Sequence, residues 1–367
     1  MTSPLRTDPS RIGPTRPGAN GANDAAARPA PLVVHWSITR SCPGPCAHCL
    51  ACSGAWPAIG GELSTMECLH VAEELGTWDA PPLLSLSGGD PLAREDLETI
   101  AAHATKRGVR VVVGTPGARL SDRRLASLAA SGVVGLEISL TSLDPKRHAS
   151  LSHSGATLEQ GLAAAARCVG SGMPVAIRML ARAGALADLR DIAMHAAGLS
   201  AIRLDVIFPP PSGLFPPAGA RGQALRELSA EESGATRAAV AEIERSLAGR
   251  LPLRVISHPS RCECDQPSCH ISPEGKLSAC AFLDVTFGDL RRESVLSAWR
   301  AKANASASES QGMPGTQAVV NAPEATSPKA PEAASRVPTD PDLQPTLQAA
   351  FDFPPAPPPR TRSGRRA

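Results

Sequence analysis

From Leu32 onward the chain repeats short apolar, β-branched runs, at Leu32–Trp36, Leu83–Leu86, Val109–Val113, Val133–Ser139, Pro174–Leu180 and Ala201–Phe208. Between them the apolar spacing lengthens to three and four residues, which predicts helices over Arg94–Lys106, Asp122–Ala130, Leu158–Val169, Leu186–Ala197 and Ala230–Leu247. Ser64-Thr-Met-Glu67 reads as a capping box that opens one more helix, with Leu69, Ala72 and Leu75 on one face. Strand and helix alternating over short links implies parallel strands joined by right-handed crossovers. Six such units predict an α/β fold, a partial (βα)6 TIM-like barrel, with its chemistry at the carboxyl ends of the strands.

The rhythm bounds the rest of the chain. Residues 1–30 carry no period and read as a disordered leader, and 31–250 form the core. Residues 251–300 hold four cysteines and a last amphipathic piece around Glu293–Arg300, and read as a small appended domain held by metal. Residues 301–367 turn to Ala, Pro, Ser, Glu and Thr, a composition that cannot offset its own ordering entropy, so a disordered Pro/Ala-rich tail is expected. A net charge of +2 gives no global electrostatic case for nucleic acid or a membrane surface. The basic end, Arg360, Arg362, Arg365 and Arg366, reads as a solvated tail. Met1 to Pro31 lacks the apolar stretch of a secretory signal and no run is long enough to span a bilayer, so a cytoplasmic location is expected.

Cysteine changes the picture most. Of the ten, seven fall in two tight groups, 42–49 and 262–280, a pattern that in an intracellular chain points to metal or redox work rather than disulfides. Cys42, Cys46 and Cys49 directly follow the first predicted strand. Three thiolates at these spacings can wrap one iron–sulfur cluster and leave one iron open for a ligand. Cys52 would extend the run to four, the composition of a closed cluster or a zinc site; the reading preferred here is the open three-cysteine site, with Cys52 a packed or incidental thiol. Cys68 and Cys168 lie on predicted helices and read as core thiols.

Cys42-x3-Cys46-x2-Cys49, with His48 before the third cysteine and the lead-in His35-Trp-Ser-Ile-Thr39-Arg-Ser, resembles the signature of the radical S-adenosylmethionine (radical SAM, AdoMet) family. Ser87-Gly88-Gly89-Asp90-Pro91 closes the second strand and resembles the family's Gly-Gly-Glu-Pro motif, which holds the AdoMet amino group; Asp for Glu shortens the reach by one methylene. Glycines there let backbone approach a ligand closely. Ser139 matches the family's Ser-Leu-Asp segment, where Thr141 replaces the usual Asp, and Thr115 and Arg178 match positions that face substrate or the AdoMet carboxylate. The resemblance covers Leu32 to Phe208. It implies an enzyme whose open 4Fe-4S cluster reductively cleaves AdoMet to a 5′-deoxyadenosyl radical that abstracts a substrate hydrogen, fed by a low-potential donor such as flavodoxin or ferredoxin.

Cys262-x-Cys264-x4-Cys269, the turn Pro273-Glu-Gly275 and Cys280 resemble the shorter form of the SPASM/Twitch auxiliary-cluster extension. An auxiliary 4Fe-4S cluster is implied; four thiols could equally hold zinc, and either Cys262 or Cys264 gives a plausible spacing to Gly275. Two substrate classes remain. A peptide maturase would need a separate leader-peptide-binding protein, because residues 1–30 are too short for that domain. Tetrapyrrole side-chain chemistry is suggested by Ile271-Ser-Pro-Glu-Gly275…Cys280-Ala-Phe-Leu and Phe287-Gly-Asp-Leu290, which resemble haem-biosynthesis relatives. A non-enzymatic zinc or iron–sulfur binding protein is the alternative of another class.

Overall fold

The computed structural model describes residues 30–42, 46, 61–152, 157–182, 184–208, 228–256, 268–279, 281 and 286–301. Of the residues singled out from sequence, His48, Cys49, Cys52, Cys262, Cys264 and Cys280 lie outside these, as do the expected leader and tail apart from Ala30 and Ala301.

The chain runs β1 (Val33–Thr39), α1 (Thr65–Gly76), β2 (Leu83–Gly88), α2 (Leu97–Thr105), β3 (Arg110–Thr115), α3 (Asp122–Ala130) and β4 (Gly135–Ser139). It continues through α4 (Pro145–Leu151), α5 (Leu158–Ser171), β5 (Val175–Leu180), α6 (Leu186–Leu199), β6 (Arg203–Ile207), α7 (Ala230–Ser246) and β7 (Leu253–Ile256). Three short strands follow, β8 (Ser268–Ile271), β9 (Lys276–Ser278) and β10 (Thr286–Asp289). All belong to one ten-stranded sheet of order β10-β9-β8-β1-β2-β3-β4-β5-β6-β7. Neighbours from β1 to β7 pair in parallel. The α/β fold with the parallel sheet of a partial TIM barrel is thus as expected.

The helix starts follow from local chemistry. Ser64 accepts from the Glu67 amide while Glu67 returns to the Ser64 amide, the reciprocal capping box. Thr157 with Gln160 and Ser229 with Glu232 open α5 and α7 in the same way. The helix α4 was not expected: Asp144 accepts from Arg147 N at 2.7 Å and Pro145 takes the first turn, so Asp144–Pro145 starts a helix.

Alternation along each strand sorts the side chains. On one face Val34, Trp36, Ile38, Leu84, Leu86 and Val113 pack with the helices in a large apolar core. The other face is apolar only near its amino end, where Val33, Leu83, Val112 and Ala176 form a small second cluster. Toward the carboxyl ends it turns polar, through Ser37, Thr39, Glu137, Ser139 and Arg178. A sealed floor beneath a polar mouth is the geometry that puts ligands at the carboxyl ends. Cys68 and Cys168 are fully buried, and burial pushes both thiols up to about 12, as core thiols should be.

Residues 251–300 contribute to both sides of the sheet. β7 pairs with β6, whereas β8 pairs in parallel with β1, Val33 opposite Ser268 and Trp36 opposite Ile271. Residues 295–301 are helical. No helix among the described residues is long and apolar enough to cross a membrane.

Candidate active site

Cys42 lies three residues beyond the end of β1, at the barrel mouth, and both it and Cys46 are half-buried. The Cys46 Sγ lies 3.8 Å from the Ser152 hydroxyl, at the end of α4. Thiol donors at this place suit an iron–sulfur cluster.

The turn at residues 88–90 is tied to the backbone that leads into Cys42. Gly89 N donates to Thr39 O and Asp90 N to Ser41 O, both at 2.8 Å. Gly88 has φ +123°, and a Cβ there would lie 2.4 Å from Thr39 O; on Gly89 it would lie 2.3 Å from Ser41 O. Both glycines are therefore required by the protein's own backbone, a closer constraint than the ligand approach read from sequence.

Asp90 is fully buried. Its Oδ1 accepts from Leu92 N at 3.2 Å, capping a 3-10 turn at Pro91–Ala93, and from Thr115 Oγ1 at 2.8 Å. Burial raises its carboxyl above the ordinary range, against the hydrogen bonds from Thr115 and Leu92. Its Oδ2 has no partner among the described residues. Thr115 is also buried and accepts from Gly117 N at 3.1 Å, so its hydroxyl is used internally.

Thr141 bonds the buried His148 ring at Nδ1, 3.0 Å away. Ser142 donates to the buried Asp188 at 2.6 Å, and Arg147 and Arg182 pair with the same carboxylate. Ser139, the last residue of β4, is exposed, and Thr141 is half-buried.

Arg178 stands beside Ser139 in register on β5. Its Nη1 donates to Glu137 Oε2 at 3.0 Å, and its buried Nε has no acceptor among the described residues. Glu137 also accepts from Arg203 Nη2 at 3.0 Å, Arg203 Nε reaches Asp205 at 3.0 Å, and Arg254 grips both Asp205 oxygens at 2.8 Å. Three guanidiniums and two carboxylates thus chain β4, β5, β6 and β7 across the lumen. Sequence reading missed Glu137, Arg203, Asp205 and Arg254; their signal is a charged residue at the inward position of a strand whose alternate residues are apolar.

On the other side of the lumen His270 lies between Ser37, at 2.9 Å, and Ser278, at 3.3 Å. Burial, then the neighbouring His35, lowers its pKa to about 3, so the ring is neutral. Cys269 points to the opposite face of β8, where it is fully buried in the apolar core, in register with Val34.

Residues 36–184 match the family model described as the Radical SAM superfamily. The chain is 27% identical over 297 residues to an AdoMet-dependent heme synthase of Methanosarcina barkeri, covering 74% of this chain and 82% of that one. It is 36% identical over 111 residues to the mycofactocin maturase MftC of Mycobacterium ulcerans, covering 30% of this chain and 29% of that one. Among solved structures its fold resembles Streptococcus suis SuiB bound to precursor peptide SuiA, with a TM-score of 0.61 at 13% identity over 76% of this chain and 66% of that chain.

Proposed function

From the match of residues 36–184 to the Radical SAM superfamily model, we propose that this chain is a radical SAM enzyme that holds an open 4Fe-4S cluster on Cys42, Cys46 and Cys49, reductively cleaves AdoMet there, and modifies a tetrapyrrole-type substrate by hydrogen abstraction. The observation that carries the reading is the junction of the two motifs. The cysteine-bearing segment and the Gly-Gly-Asp turn, far apart in sequence, share two backbone hydrogen bonds at the mouth of a parallel barrel.

Cluster and AdoMet supply, when bound, the carbon radical. The chain's own residues position and shield. With the Asp90 carboxylate turned inward, contact with the AdoMet amino group falls to main-chain carbonyls of residues 88–89. Ser139 offers a hydroxyl at the mouth. Arg178, held from behind by Glu137, offers charge-assisted hydrogen bonds to the AdoMet carboxylate. The apolar floor keeps bulk water from below.

A tetrapyrrole-type substrate is favoured because the likeness to the heme synthase extends over 74% of this chain and 82% of that protein, against 30% of this chain for the maturase. A peptide substrate is the second reading, favoured by the higher identity to the maturase within the core. It brings with it a separate leader-peptide-binding protein. A flavodoxin or ferredoxin is the proposed donor in either case. We assign Cys262, Cys264, Cys269 and Cys280 to an auxiliary cluster.

Anaerobic reconstitution with iron and sulfide counting tests this. Wild type should carry iron–sulfur and release 5′-deoxyadenosine with dithionite and AdoMet, and Cys42→Ala and Cys46→Ala should not release it. Zinc in place of iron, or full cleavage by both variants, would overturn the reading.

A further inference from the structure

Two described stretches flank the first cysteine group, residues 39–41 before it and 61–64 after it. The turn at 88–90 holds the first. The second is held from the far end of the sequence. Leu63 N donates to Pro273 O at 2.8 Å. Arg291 Nη2 donates to Gly61 O at 2.8 Å and Glu62 O at 3.1 Å, its Nη1 to Glu274 O at 3.1 Å, and its Nε to Glu67 at 2.8 Å. Gly275 has φ +82°, and a Cβ there would lie 2.8 Å from the Leu63 side chain, so the turn sits directly on residue 63.

The same turn also reaches the first stretch. Glu274 is 4% exposed and forms an ion pair with Arg40, two positions before Cys42. Glu62 closes the circuit, its Oε1 accepting from Thr39 Oγ1 at 3.1 Å and from Arg40 N at 2.6 Å. One arginine therefore satisfies three carbonyls and a carboxylate, which the planar guanidinium fork can do and an ammonium cannot. None of this lies within residues 36–184 on the side that does the holding: Glu274 and Arg291 are outside the family match.

We propose that the turn at 272–275 and Arg291 form a brace fixing both stretches that flank the first cysteine group, so that Glu274 and Arg291 are positioning residues for AdoMet binding. The inference rests on the reading of Cys42 and Cys46 as cluster ligands and deepens it. The second cysteine group and the first site act as one mechanical unit, since β8 pairs with β1 and its turn grips the flanks of the first site. A site whose support shifts by an ångström loses far more function than stability.

The test compares full-length wild type with Arg291→Met, Arg291→Lys and Glu274→Gln, all reconstituted anaerobically. AdoMet is titrated against the electron paramagnetic resonance spectrum of the reduced cluster, with iron counting and circular dichroism alongside. In folded Arg291→Met and Glu274→Gln with wild-type iron, the AdoMet concentration for half-maximal spectral change should rise about tenfold, and less in Arg291→Lys. An unchanged half-point in both folded variants overturns the brace. Should Arg291→Met not fold, Glu274→Gln decides by the same criterion. Wild type without iron would sink the cluster reading itself, and the brace with it.

Discussion

Thr115 Oγ1 donates to Asp90 Oδ1 at 2.8 Å, joining the end of β3 to the turn that follows β2. The bond offsets part of what burial costs the Asp90 carboxylate. Thr115→Val keeps the shape and removes the donor, leaving Leu92 N as the remaining donor to that oxygen among the described residues. A loss of about 1–3 kcal/mol is expected for a buried charged acceptor, read from denaturant melts. A change within error would mean that Asp90 relaxes toward another donor.

Gly89→Ala tests the junction between the two motifs. Its Cβ would meet Ser41 O at 2.3 Å, and that atom is backbone with no rotamer to escape into. The turn or the stretch leading to Cys42 must move. Overpacking of this kind costs about 1–3 kcal/mol, and the displaced cysteine should show as lower iron content after reconstitution. Gly108→Ala, where the nearest atom is 4.0 Å away but φ is +83°, serves as a control for backbone strain without collision.

The lumen network predicts a strong effect from one carboxylate. Glu137 is 4% exposed and serves both Arg178 and Arg203. Glu137→Ala leaves two guanidiniums facing each other without it, and breaking a buried pair this way costs about 3–5 kcal/mol. Glu137→Gln, which keeps volume and one acceptor, should fall between it and wild type in thermal melts.

Acid sensitivity should trace in part to Glu67. Hydrogen bonds from the Ser64 amide, the Ser64 hydroxyl and then Arg291 hold its carboxyl down to about 2 from 4.5. A carboxylate with a lowered folded pKa adds stability that is present above 4.5 and lost as pH falls toward 2. Glu67→Gln keeps the reciprocal cap without the charge, so its melting temperature should vary less over that window. The group is largely solvated and the effect should be small and salt-sensitive.

The repeating strands and helices were legible because period two and period 3.6 survive in this alanine-rich chain; Asp122–Ala130 matches its helix end to end. The strand β7 and the seating of β8 were not. Each is four residues long, and each turns a polar side chain inward, Arg254 or His270, so neither shows a clean apolar run. The first cysteines and the glycine turn were legible from spacing. Their mutual hydrogen bonds, and the chain of charges from Arg178 to Arg254, exist only once parallel register sets residues 41 and 66 positions apart side by side. Asp90 shows the limit most clearly. Its place in the motif was legible, whereas its burial and its bond to Thr115 are encoded by no local pattern.

The place of β8 beside β1 also orders events during synthesis. Ser37 and His270 touch, though 233 positions separate them. Until the ribosome has delivered residues 268–271, β1 has a bare edge on the side β8 will cover, and pairing over so long a loop is slow. The strand that leads into the first cysteines is completed late, by a strand that emerges only after β7. Chains cut short before residue 268 should therefore present an open strand edge and aggregate in place of maturing.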